Sequence, residues 1–84
     1  MSRKITLAEL NAGEEGIVAR VEGKGALHQR LLDMGLTPGT KVMVLRLAPL
    51  GDPVAICLRG YSLTLRKEDA AKIILNNALG DESP

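Results

Sequence analysis

The sequence predicts a small, mainly β domain, an antiparallel barrel of about five short strands with a helical turn near the start, one covering α-helix and a helical turn before the last strand. Two observations carry this. Short runs of aliphatic residues alternating with polar ones recur between turns marked by glycine and proline, which is the pattern of half-buried strands. A single stretch, with Leu27, Leu31 and Met34 at i, i+4 and i+7, repeats at helical spacing instead. The 84 residues suffice for one hydrophobic core and no second lobe. With 45% hydrophobic and 25% charged residues the chain has the composition of a folded domain. That domain is expected over residues 1–75, with 76–84 as a frayed, disordered polar tail.

The elements follow in order. Thr6 and Glu9 have the spacing of a capping box, and Ile5 and Leu10 fall at staple positions, so one helical turn is expected over 7–11, ended by Gly13. Residues 16–21 are rich in β-branched side chains and read as a strand with Ile17, Ala19 and Val21 on one face. Gly23-Lys24-Gly25 links it to the helix, whose end is marked by Gly35 as a left-handed cap and Leu36 folding back onto Leu31. Thr37-Pro38-Gly39-Thr40 places proline and glycine where a type II turn needs fixed and positive φ. Three half-buried strands come next, over 41–47, 54–59 and 61–66, with Val42, Val44, Val54, Ile56, Leu58, Tyr61, Leu63 and Leu65 on their inward faces. Residues 67–71 read as one helical turn, and 72–75 as a last strand that closes the sheet on itself and so removes its edges.

The same composition excludes several functions. There is no Phe or Trp and only Tyr61, so neither base stacking nor an aromatic groove for proline-rich peptides can be built. A net charge of +1 with interspersed signs argues against nucleic acid as a partner. A lone cysteine, Cys57, rules out an internal disulfide and fits a reducing cytosol. No apolar signal region follows Met1, and no run approaches the ~20 residues of a membrane span, so any membrane role is expected to run through a partner.

No catalytic, cofactor or metal site is expected. His28, Cys57 and the ten carboxylates lack metal-ligand spacing. His28 on the helix flank reads as a solvated structural residue, and Cys57 as a small apolar filler. Gly23-Lys24-Gly25 lacks the length and the hydroxyl of a phosphate-binding loop. No acid, base and nucleophile share a face, so the chain is read as a non-enzyme.

Four motifs in order, Leu32-Asp33-Met34-Gly35-Leu36-Thr37-Pro38-Gly39, Ala48-Pro49-Leu50-Gly51-Asp52-Pro53, Arg59-Gly60-Tyr61 and Leu65-Arg66-Lys67-Glu68, resemble the FeoA family, ferrous iron transport protein A. The resemblance covers roughly residues 5–75. It implies an SH3-like β-barrel in the bacterial cytoplasm, at the inner face of the membrane through its partner. That partner is the ferrous iron transporter FeoB, a polytopic protein with a cytosolic GTP-binding domain, for which the chain would be an accessory or regulator. Similar domains form the C-terminal module of DtxR-type metal-dependent repressors, the alternative reading. Because the chain starts at Met1 with no upstream DNA-binding domain, a stand-alone protein is expected.

Two surfaces suggest themselves for docking. If the inward faces fill the core, Met43, Leu45, Ala55 and Cys57 point outward or under a covering element, and an exposed strip there would serve a transporter or weak self-association. The loop with Pro49 and Pro53 holds Leu50 at a polar tip, a rigid anchor that loses little entropy on docking. Leu50, with Met34, Leu36 and Pro38 placed nearby, and Met43 and Leu45 form the candidate partner-binding set.

Overall fold

The computed structural model describes residues 5–76. Its elements are β1 (Ile5–Thr6), a 3-10 helix (Leu7–Glu9), β2 (Glu15–Val21), α1 (Gly25–Asp33), β3 (Lys41–Leu47), β4 (Val54–Leu58), β5 (Tyr61–Leu65), α2 (Lys67–Ala70) and β6 (Ile73–Asn76). The strands form one antiparallel sheet in the order β1-β6-β2-β3-β4-β5. What curls this sheet is β2, which changes partner along its length. Glu15, Gly16 and Ile17 pair with β3, and from Ile17 to Val21 the strand pairs with β6. Both wings of the sheet therefore fold over the same interior, where Val18, Val42, Val44, Ile56, Leu58, Ile73 and Leu75 are fully enclosed.

The mainly β fold with one longer helix and a short helical turn is as expected, with three differences. The sheet has six strands, because Ile5 and Thr6 pair with Leu75 and Ile74 before the chain turns into the 3-10 helix. Two residues are too short a run for alternation to reveal a strand. The last strand does not close the sheet on itself: β6 lies between β1 and β2, and β1 and β5 are left as its two ends. The third difference is the face of β2. Gly16, Val18 and Val21 are buried while Ile17 and Ala19 are only half-buried, because the pairing with β6 shifts register between Val18 and Arg20. One extra residue in a strand reverses the faces beyond it. Ile17 and Ala19 thus belong to the outer face.

The ends of the elements follow local chemistry. The Thr6 amide donates to Glu9 Oε2 at 3.1 Å, the return half of the expected capping box. The turn is tighter and shorter than expected, since Leu10 is already extended and Gly13, at φ +90°, belongs to the loop that follows. At the end of α1 the Leu36 amide reaches the Leu31 carbonyl at 3.2 Å and the Gly35 amide reaches that of Leu32 at 2.9 Å. This is the Schellman pattern, with Gly35 at φ +102° and both leucines fully buried. The Thr40 amide then closes the type II turn onto the Thr37 carbonyl at 3.0 Å. Asn76 is the last residue of β6, and the rest of the tail expected over 76–84 lies outside the described residues.

Candidate functional site

The candidate docking residues do not form one cluster. In the β3–β4 hairpin Val42 faces Leu58 at one end and Leu47 faces Val54 at the other. Seven residues of strand separate the ends by roughly 20 Å. Met34, Leu36 and Pro38 lie at the first end and Leu50 beyond the second, so Leu50 has no neighbour among them. Leu36 is a further correction, because its burial in the Schellman cap leaves it no surface to offer a partner. Pro38 is exposed, Met34 and Met43 are half-buried, and Leu45 is exposed where the β3–β4 register shifts between Val44 and Arg46.

At the first end the molecule is bonded to itself. Arg59 and Gly60 form a two-residue hairpin turn between the paired Leu58 and Tyr61, with φ +50° and +86°. Positive φ at both positions is what a type I′ turn requires. The turn aims Arg59 at the loop after α1, where its Nη2 donates to the buried Thr40 Oγ1 at 3.0 Å. Thr40 Oγ1 lies 3.0 Å from that of Thr37, so the buried hydroxyl is satisfied on both sides. The Tyr61 hydroxyl donates to the Met34 carbonyl at the end of α1. Gly35 lies beneath, and a Cβ there would come within 3.2 Å of Leu58 Cδ1 and 3.3 Å of the Tyr61 oxygen.

At the second end one residue is presented and its neighbours are tied down. The Gly51 amide bonds to the Ala48 carbonyl at 2.7 Å, and the Ala48 amide to that of Pro53 at 3.2 Å. Asp52 Oδ1 accepts the first amide of α2, that of Lys67, at 3.0 Å. The loop is therefore anchored to α2, and at its tip Leu50 is 88% exposed. Sequence reading gave no sign of the Asp52 cap, whose partner is 15 residues away.

Between the two ends the outer face of the sheet carries a row that crosses four strands: Glu15, Met43, Cys57 and Ser62. Around it lies a shallow groove of about 240 Å³, lined by Glu15, Lys41, Met43, Cys57 and Arg59 with parts of Val42 and Leu58. Neither helix covers it. Lys41 and Glu15 pair at 3.3 Å across its rim, both side chains largely solvated, which makes the pair a weak one. The groove is smaller than the roughly 300–1,000 Å³ of most small-molecule sites. Among the described residues no three His, Cys, Asp or Glu side chains group closely enough to hold a metal ion. No helix among them is long and apolar enough to cross a membrane.

Comparison with known proteins fits this fold. The model of the FeoA domain matches residues 5–77. Over 67 residues, 80% of this chain, the sequence is 45% identical to a Porphyromonas gingivalis protein described as a fusion of Fe(2+) transport protein A with the Fe(2+) transporter FeoB. The chain spans only 8% of the length of that relative. Among solved structures, a FeoA-like protein from Clostridium acetobutylicum superposes with a TM-score of 0.81 at 36% identity, covering 100% of this chain and 96% of the other. Stenotrophomonas maltophilia FeoA, described as an SH3 domain protein and solved with zinc, gives 0.76 at 25% identity over 87% and 91% of the two chains. A manganese-dependent transcriptional repressor shares the fold alone, with a TM-score of 0.79 at 16% identity over 90% of this chain and 42% of the repressor. The chain is a member of the FeoA domain family, with the SH3-like fold of that family.

Proposed function

We propose that this chain is a non-enzymatic accessory protein of bacterial ferrous iron uptake that works by binding the cytosolic part of a FeoB-type transporter. It would then reside in the cytoplasm and reach the membrane through that partner. The observation that carries the reading is the 45% identity to a relative in which the two named components share one chain. A fusion keeps them at high effective concentration, which favours a contact between them.

The docking surface in this reading joins Leu50 at one end with Leu45 on β3, Met43 in the groove, and Met34 and Pro38 at the other end. Leu50 is the strongest anchor, being a large apolar side chain on a loop held by three hydrogen bonds. The test is a titration of the purified chain against the cytosolic part of a FeoB-type transporter, monitored by calorimetry. Saturable binding that Leu50→Asp weakens at least about tenfold supports it, as befits the loss of an apolar anchor of about 1.5–3 kcal/mol. Equal binding by both forms removes Leu50 from the surface, and no binding by the wild type removes the transporter as partner.

A further inference from the structure

The open end of the sheet at β5 is the feature that neither the groove nor the loop explains. Leu58 and Tyr61 flank a two-residue turn, so they form a hydrogen-bonded pair, and the alternation of an antiparallel ladder gives Leu63 and Leu65 the same role. The amides and carbonyls of Ser62 and Thr64 therefore point away from β4. No backbone bond outside the sheet occupies them among the described residues, and both residues are exposed. Edges of this kind are normally blunted by charge, proline or a covering element. The run Tyr61-Ser62-Leu63-Thr64-Leu65 has neither charge nor proline.

We propose that β5 is a strand-addition edge, on which an extended segment of the partner pairs with the free backbone groups of Ser62 and Thr64 and sets an acidic side chain against Arg66. Arg66 is still extended, at φ −71° and ψ 149°, and continues the alternation of Ser62 and Thr64. It is exposed and makes no side-chain bond among the described residues. Among the described residues the edge therefore ends in an unpaired cation, and a cross-strand carboxylate complements it. A second copy of the chain fits poorly. The self-paired register that uses all the free groups sets Leu63 against Leu63 and Gly60 of one copy opposite Arg66 of the other, so a second copy brings no carboxylate to that cation.

The edge is continuous with the surfaces already described. Ser62 closes the row that runs through Met43 and Cys57, and Leu65, paired with Val54, leads to Lys67 and the anchored Leu50 loop. A strand laid along β5 would thus connect the Tyr61 end with the Leu50 end, giving main-chain affinity between two side-chain contacts. This inference rests on the proposed transporter partner.

The experiment is amide hydrogen exchange on the isotopically labelled full chain, alone and with the cytosolic part of a FeoB-type transporter. Ser62 and Thr64 amides should exchange freely in the chain alone and slow by about tenfold or more in the complex. Proline is tolerated at an edge where the amide faces outward, so Ser62→Pro should keep the slow exchange of Leu63 while weakening binding roughly tenfold. Arg66→Glu should weaken it about three- to tenfold and Arg66→Lys should restore most of that. If Ser62→Pro unfolds, the wild-type exchange and the Arg66 pair decide. Binding that leaves Ser62 and Thr64 exchanging freely overturns the strand-addition edge and leaves the transporter reading standing. Protection that rises with chain concentration before any partner is added replaces it with self-pairing. No binding at all overturns both.

Discussion

The two ends of the β3–β4 hairpin are built on opposite plans. At the α1 end, Arg59, Thr37, Thr40, Tyr61 and the Met34 carbonyl use their hydrogen-bonding capacity on one another, over a buried Leu36 and a glycine held at φ +102°, where any side chain is strained. At the loop end the bonds of Ala48, Gly51 and Asp52 hold the backbone still, and the one large side chain, Leu50, is left in water. Both ends carry residues of the four motifs on which the resemblance to this family rests. The difference teaches that a motif can exist to satisfy the fold or to present a surface, and that burial separates the two where sequence cannot.

Substitutions break this comparison most sharply at the closed end. Leu36→Ala removes a fully buried side chain from the core and should cost about 2–5 kcal/mol. Urea unfolding should show the midpoint falling by most of the range available to so small a domain. Gly35→Ala comes next, because it forces a side chain into φ +102° and brings its Cβ against Leu58 and Tyr61. A loss of about 1–3 kcal/mol is expected. A wild-type midpoint in this variant would mean that the end of α1 is less tightly held than its bonds suggest.

Much of this was legible beforehand, and what was not has definite causes. The Schellman cap and the type II turn are local, so Gly35, Leu36, Pro38 and Gly39 announced them in sequence. The inward faces of β3 and β4 followed from simple alternation, but in β5 it held only for the half-buried Leu63 and the buried Leu65, since Tyr61 beside the turn is exposed and spends its hydroxyl on the Met34 carbonyl. The face of β2 did not, because a register shift lies between Val18 and Arg20, and nothing local in Ile17-Val18-Ala19-Arg20-Val21 marks it. Burial of Leu36 could have been inferred from the same cap that placed it, which excludes it from any docking set. Distances across the sheet were out of reach: Leu50 and Pro38 are 12 positions apart in sequence, and only the pairing of β3 with β4 shows that a full strand length separates them. The Asp52 cap on α2 and the Arg59 bond to Thr40 were hidden for the same reason, each linking residues remote along the chain.

The loop end gives the smallest effect and the most discriminating one. Asp52 and Leu50 lie two positions apart on the same loop, yet they should answer a stability measurement differently. Asp52→Ala removes the carboxylate that accepts the Lys67 amide at 3.0 Å and leaves the start of α2 uncapped. Its cost should be about 1 kcal/mol, the usual value of a helix cap. Leu50→Asp exchanges a side chain that is 88% exposed, and surface changes of this kind stay within about 0.5 kcal/mol. Thermal melts of the two variants beside the wild type measure this directly. A Leu50→Asp melt as low as that of Asp52→Ala would mean that the leucine packs against the domain in solution, and it would lose its claim to be a presented anchor. A melt at the wild-type temperature leaves that side chain with no role in the fold, so any loss of binding in the same variant is a loss of contact with the partner.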